Sequence, residues 1–391
     1  MRQAPIKMSA ELRILQVAPS LETGGVERTT IEVAEAITAA GGKALVASAG
    51  GRLEQQLAEA GGELVRMPLT SKNPLTILAN ATRLTHLALT RGVKLIHARS
   101  RAPGWSALMA ARRTGLPFVT TYHGIYSANG PLKRYYNSVM AKGDLVIANS
   151  EFTRNHILSM HETDPAKVIA IPRGVDVAAF DPAAVSPIRA QSKRADWAMP
   201  EGRMIALVLA RLTKWKGQRL LVDAAEIVER ASPGRLAYVL AGDAQGRDSY
   251  VEELDAAIAE KGLTGIIKRV GHVSDVPAAL AAADMAIFPP IDLEAFGRGA
   301  IEAQAMGVSV IAADQGGLSE TITDRETGLL FQMGDARALA DAILAMLAMS
   351  DSERKAMAAA GQARVRRCYS KQALQHATLD IYRRLLQNGD S

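Results

Sequence analysis

One cysteine, Cys368, stands in 391 residues. A single thiol excludes an intrachain disulfide framework and a thiolate metal cluster, and it suits a reducing compartment. Aromatic side chains are also sparse, at 4%. With few stacking platforms and dispersed basic residues, nucleic-acid binding is set aside despite a formal net charge of +6. No uninterrupted apolar run approaches the ~20 residues that span a bilayer. The N-terminal MRQAPIKMSAELR has no apolar core of signal-peptide length, so the sequence points to the cytoplasm. It contains no Asp-x-Asp pair and no His/Asp/Glu cluster at metal-ligand spacing. A Gly-x-Gly-x-x-Gly turn with an acidic residue at the dinucleotide distance is missing too, so an NAD site is not supported.

What is present is a rhythm of short apolar runs separated by helical stretches. The runs are Leu12–Ala18, Ala44–Ala47, Leu64–Met67, Lys94–Ala98, Phe118–Thr121, Asp144–Asn149 and Val168–Pro172. The stretch from Asp181 to Gly202, rich in Pro, Ser, Ala and charge, breaks the rhythm and reads as a linker with a short helix in it. The rhythm restarts at Met204–Ala210, Leu236–Ala241, Ile266–Val270, Met285–Phe288, Val308–Ala312 and Gly328–Phe331. Alternation of this kind predicts parallel sheets covered on both faces. At 48% hydrophobic residues the chain can bury two such cores. The expected organisation is a first α/β domain over 1–185, a linker over 186–202, a second α/β domain over 203–368, and a helix over 369–391 returning to the first domain.

Ligands of open parallel sheets bind beyond the carboxyl ends of the strands, so the loops after the runs carry the candidate chemistry. Gly24-Gly25 follows the first run and opens a helix. It suits close approach of a phosphate or sugar, and equally a tight turn. His123 follows the fifth run beside Gly124 and can serve a sugar hydroxyl or an oxyanion. His97 and His272 are weaker candidates of the same kind. Arg211 and Lys216 follow the first run of the second half. Two cations there suit a diphosphate whose leaving oxygen gains charge. Gly242 and Val273 lie after the next two runs. The stretch Glu294–Glu302 (EAFGRGAIE) is the most informative. Its glycines and free helix amides suit a phosphate. Its carboxylates can accept from sugar hydroxyls on either side, which suggests a sugar, a phosphate and a second sugar held in a row. Charge on the diphosphate would then be neutralised by Arg211, Lys216 and helix dipoles rather than by a metal.

In order, the Gly24-Gly25 loop, His123, Arg211 with Lys216, and Glu294-x7-Glu302 make the chain resemble a family 4 retaining glycosyltransferase. The resemblance covers nearly the whole chain. Ile171-Pro172-Arg173-Gly174-Val175-Asp176 resembles the family's segment before the interdomain crossing. The family implies the GT-B fold: α/β, with two Rossmann-like doubly wound parallel-sheet domains facing across a cleft. It implies that Glu294 binds donor-sugar hydroxyls and Glu302 the ribose. The backbone of Phe296, Gly297, Arg298 and Gly299, with Gly24 and Gly25, would line the sugar and diphosphate. Arg211 and Lys216 would neutralise the diphosphate, His123 would lie near the transferred sugar, Val273 would contact the base, and Gly242 would border the nucleotide pocket. No metal or other cofactor is implied. Three residues depart from the family: Arg298-Gly299 stand where many members have an apolar pair, and Arg173 replaces a frequent asparagine, read as structural.

The expected function is transfer of a hexosyl unit from a UDP- or GDP-type sugar to a hydroxyl of an envelope glycan or glycolipid. The alternatives are a sugar-binding or inactive relative of the same fold, and a sugar-nucleotide epimerase. EAFGRGAIE weighs against the epimerase. Acceptor choice falls to the N-terminal half, where Arg99, Arg101, Arg112, Arg113, Lys133 and Arg134 supply basic charge. Tyr135-Tyr136 beside Lys133-Arg134 suits either peripheral contact with an anionic membrane or a solvated helix face.

Overall fold

The structure is a computed structural model that describes residues 12–22, 24–126 and 130–387; the first eleven residues read above lie outside them. The chain divides into two compact units. The first takes the residues up to Arg173 together with those from Lys371 on, and the second runs from Gly174 to Ser370.

The first unit is a seven-stranded sheet of β1 (Arg13–Val17), β2 (Lys43–Ser48), β3 (Glu63–Arg66), β4 (Leu95–Ala98), β5 (Phe118–Tyr122), β6 (Leu145–Ala148) and β7 (Val168–Ala170). Their order is β3-β2-β1-β4-β5-β6-β7, and neighbours pair parallel. Side chains alternate across a strand, so the apolar side chains of β1 fill two cores. Ile14 packs with Val33 and Ile37 of helix Gly25–Ala39 and with Leu374 and Tyr382 of helix Lys371–Gln387. Its neighbour Leu15 packs on the opposite face with Leu84, Ala107 and Phe118.

The second unit is a six-stranded sheet of β8 (Met204–Leu209), β9 (Leu236–Ala241), β10 (Ile267–Gly271), β11 (Met285–Phe288), β12 (Ser309–Asp314) and β13 (Leu329–Gln332), in the order β10-β9-β8-β11-β12-β13. These neighbours are parallel as well. Here Ala206 and Val208 face one core and Ile205 and Leu207 the other. In both sheets the chain winds outward for three strands and then crosses back to the far side of the first. The order therefore reverses between β1 and β4, and between β8 and β11. The crevice outside the carboxyl ends at such a reversal is where open α/β sheets bind ligands.

The unit boundary falls earlier than the composition of the chain suggests. The stretch expected to be a linker holds helix Pro187–Trp197, capped by the Ser186 hydroxyl. Trp197, Val175, Phe180 and Val185 are buried in the second unit's core. Arg189 forms a forked pair with Asp275 at 2.7 and 2.6 Å, and Arg194 bonds Asp284 at 3.0 Å. The short helix expected in this stretch is present, and Trp197 anchors it to the second unit's core. The chain enters and leaves this unit side by side, with Val175 N donating to the Tyr369 carbonyl at 2.8 Å.

Helix Lys371–Gln387 belongs to the first unit. Gln375 bonds the Glu32 carbonyl and the Glu35 carboxylate at 2.8 and 3.0 Å, and the Tyr382 hydroxyl meets His97 Nδ1 at 2.6 Å. Both of those rings are wholly buried. Tyr382→Phe is expected to lower stability by about 1–3 kcal/mol, because it strands a buried ring nitrogen. A thermal melt measures this, and nucleotide binding should not change.

Candidate functional site

The second unit sets its sequence candidates beyond the carboxyl ends of its strands, with Arg211, Lys216 and Glu294 at the β8/β11 reversal. After β8 the chain turns through a single 3-10 turn, Lys214–Lys216, and Gly217 takes a left-handed conformation (φ 73°). A side chain at Gly217 would fall 1.7 Å from the Pro289 carbonyl oxygen. Ile291 N donates to the Trp215 carbonyl at 2.9 Å. Those contacts stitch the loop after β8 to the loop after β11, and they carry Lys216 to Glu294. The Lys216 Nζ donates to both carboxylate oxygens of Glu294, at 2.9 and 2.8 Å, and lies 4.1 Å from the Trp215 ring centroid. The Glu294 backbone is gripped in turn: its N–H donates to Gln315 Oε1 at 2.8 Å, and its carbonyl accepts from Gly317 N at 2.8 Å.

An ammonium group carries three donors and Glu294 takes two, which leaves one for a further acceptor. Arg211 is exposed on the same loop, and among the described residues its guanidinium carries no ion pair. Helix Arg298–Ala305 starts at Gly297 (φ 86°), which has no side chain to cap it. Arg298 Nε donates to Glu302 at 3.1 Å, with both side chains largely buried. Phe296 is anchored in the core against Tyr369, with ring centroids 5.7 Å apart, so only its backbone remains for a ligand. Val273 is partly buried against the same core. Gly242 has an internal reason for its lack of a side chain: a Cβ there would lie 1.9 Å from the Ala210 carbonyl oxygen, where β8 and β9 end together.

The first unit gathers its own group around the β1/β4 reversal. Gly25 opens helix Gly25–Ala39, and a Cβ on it would lie 2.4 Å from Arg173 Nη1. Arg173 is nearly buried. Its Nη1 donates to Thr29 Oγ1 at 3.3 Å, and its Nη2 lies 2.9 Å from His123 Nδ1. The His123 carbonyl accepts from Asn149 Nδ2 at 3.3 Å. His123 Nε2 is inaccessible and, among the described residues, has no hydrogen-bond partner. Burial, then the charges of Arg173 and Arg99, hold the His123 ring well below the usual imidazole range. It is neutral at physiological pH.

Several other candidates are placed as framework. His97 is buried between Tyr382 and Thr121, with 2.7 Å to the threonine hydroxyl. Arg99, read as acceptor-side charge, lies in the interior with its Nε 3.1 Å from Gln16 Oε1. His272 is exposed. Arg173 is the residue that sequence reasoning passed over as structural. Its signal was its place directly beyond a strand end, the same feature that singled out His123. Among the described residues, no three His, Cys, Asp or Glu side chains gather so as to hold a metal ion, and no helix is long and apolar enough to cross a membrane.

Two doubly wound parallel sheets, each with its charged and glycine-bearing loops at the reversal of strand order, match the glycosyltransferases of the GT-B fold. Residues 23–179 match the model of Glycosyltransferase Family 4, and residues 190–364 match that of Glycosyl transferases group 1. A crystal structure of a glycosyltransferase from Rickettsia africae is similar at 34% identity and a TM-score of 0.88, over 97% of this chain and 99% of that one. The chain belongs to glycosyltransferase family 4. D-inositol 3-phosphate glycosyltransferase of Salinispora tropica is 30% identical over 74% of this chain, and the match spans 63% of that relative's length. The Anabaena Alr3699/HepE protein, crystallised with UDP and glucose, shares the fold at a TM-score of 0.83 and 23% identity, over 95% of this chain and 99% of that one.

Proposed function

We propose that the protein is a metal-independent retaining transferase that moves a hexosyl unit from a nucleotide diphosphate sugar to a hydroxyl of an envelope glycan or glycolipid. The observation that carries this reading is the Lys216–Glu294 pair beside an uncapped helix start at the β8/β11 reversal. A cation with one donor to spare, a glycine-led helix start and two carboxylates form a row of recognition groups that matches phosphate flanked by sugars. Glu294 takes the donor-sugar hydroxyls and Glu302 the ribose. Lys216 and Arg211 receive the charge that develops as the bond between the anomeric carbon and the phosphate oxygen breaks. The electron pair leaves with the diphosphate. The acceptor oxygen bonds the anomeric carbon on the same face, and its proton passes to the departing phosphate oxygen. Of the two bases, uridine gains support from the fold relative crystallised with UDP.

The test is a thermal-shift panel of UDP, GDP, ADP and their sugars, with and without EDTA. Stabilisation by one base, unchanged by EDTA, is expected. Absence of a shift with every nucleotide would overturn the reading in favour of a non-nucleotide sugar binder.

For the acceptor side, helix Pro131–Ser138 supports peripheral contact with an anionic membrane. Leu132 and Tyr135 are exposed on it beside Lys133 and Arg134, Tyr135 stacks on Trp105 at 5.1 Å, and Lys142 covers both rings. Aromatic bodies with cationic rims suit a headgroup layer.

A further inference from the structure

A guanidinium only donates. The 2.9 Å contact from Arg173 Nη2 to His123 Nδ1 therefore requires a lone pair on Nδ1, and the ring's proton then sits on Nε2. That nitrogen is inaccessible and lacks a partner among the described residues, a costly state unless a ligand oxygen meets it. We infer that Arg173 is a positioning residue for His123: it fixes the proton on Nε2 and makes the ring a hydrogen-bond donor rather than a base. That the oxygen it meets belongs to the transferred sugar or its acceptor rests on the function proposed above; the tautomer does not.

The consequence for the chemistry is definite. Neither ring nitrogen offers a free lone pair, since Nδ1 is engaged by Arg173 and Nε2 carries the proton. His123 cannot take the proton of the acceptor hydroxyl. The base has to be another group, and the departing phosphate oxygen is the one the transfer itself supplies. Arg173 also governs how the ring answers to pH, because protonating Nδ1 would set two donors and two positive charges against each other. The groups around the ring reinforce this. Arg99 stands at the end of β4, His97 within it, Tyr126 beyond β5 and Asn149 beyond β6. The titratable groups among these bring no negative charge to the ring at neutral pH.

Gly25 belongs to the same device. Its missing side chain leaves the space that Arg173 Nη1 occupies. Thr29, one turn further along the helix, accepts from that nitrogen. So the first helical turn, the end of β7 and the end of β5 meet on one guanidinium, and the family's usual asparagine, shorter and uncharged, would not place the same charge beside the ring.

The test reads the ring nitrogens of the full-length protein, free of ligand, with 15N-labelled histidine between about pH 5 and 8. A His123→Gln sample assigns the signal among the seven histidines. The wild type should show Nε2 protonated and Nδ1 bare across that range. Arg173→Met should give mixed tautomers and a ring that protonates at higher pH than in the wild type, with Arg173→Lys in between. The kcat of transfer should fall about tenfold in Arg173→Met, the loss of one hydrogen bond, with the KM for the donor unchanged. If Arg173→Met does not fold, Gly25→Ala makes the same point by displacing the guanidinium. A wild-type ring protonated on Nδ1, or a tautomer indifferent to both substitutions, would overturn the proposal. Failure of the transfer reading would look different: no nucleotide would bind, while the tautomer stayed as described.

Discussion

Lys216→Ala is expected to lower kcat by roughly 10²–10³-fold while the protein stays folded. The estimate follows from removal of one preorganised donor to a developing anion, about 2.7–4 kcal/mol in the transition state. Two further effects act in the same direction. Glu294 loses the partner that neutralises it, so an uncompensated carboxylate is left beside the diphosphate. The loop also loses the cation held over Trp215. The pair is partly exposed, 17% and 21% for the two side chains, and solvent screens it, so the melting temperature should move little. Turnover in nucleotide release is the readout. Near-wild-type kcat in Lys216→Ala would remove this residue from the mechanism.

The strands of both units were legible because most centre on a short apolar run that a parallel sheet buries on both faces, while the edge strands β3 and β10 carry charged residues and are only partly buried. Residues 285–288, for instance, read as a strand and form β11 within the same limits. The loops that follow the strands were legible for the same reason, since topology makes strand ends the binding edge, and Lys216 and Glu294 do meet there. The helix at 187–197 was legible as a short helix, but its attachment to the second unit was not. The helix carries a polar exposed face, and its attachment rests on Trp197 and on pairs with Asp275 and Asp284, which lie far away in sequence. Periodicity contains no information about such partners. The same holds for Arg99 and Arg173. A strand-end arginine looks alike in sequence whether it is solvated or enclosed. Only the packing shows that Arg99 turns inward to Gln16 while Arg173 reaches His123 across 50 residues of chain.

Glu302→Gln is expected to weaken binding of the nucleoside diphosphate by about ten- to a hundredfold. A hydrogen bond to a charged group contributes about 1.5–3 kcal/mol, and the ribose offers two hydroxyl donors to a carboxylate that is almost buried in the present structure. The amide keeps the volume and one acceptor but loses the charge. It also stops neutralising Arg298, whose Nε lies 3.1 Å from Glu302 Oε1, so helix Arg298–Ala305 gains net positive charge at its start. That gain separates two roles that a simple loss of affinity would confuse. If Glu302 reads the ribose, Glu302→Gln weakens UDP or GDP, while inorganic pyrophosphate binds at least as well as before. Lys216→Ala should do the reverse and weaken pyrophosphate most. Titration calorimetry with pyrophosphate and the nucleotide, on both variants, measures the contrast. Unchanged nucleotide affinity in Glu302→Gln would restrict Glu302 to holding Arg298 in place, and the ribose would need another acceptor in the second unit.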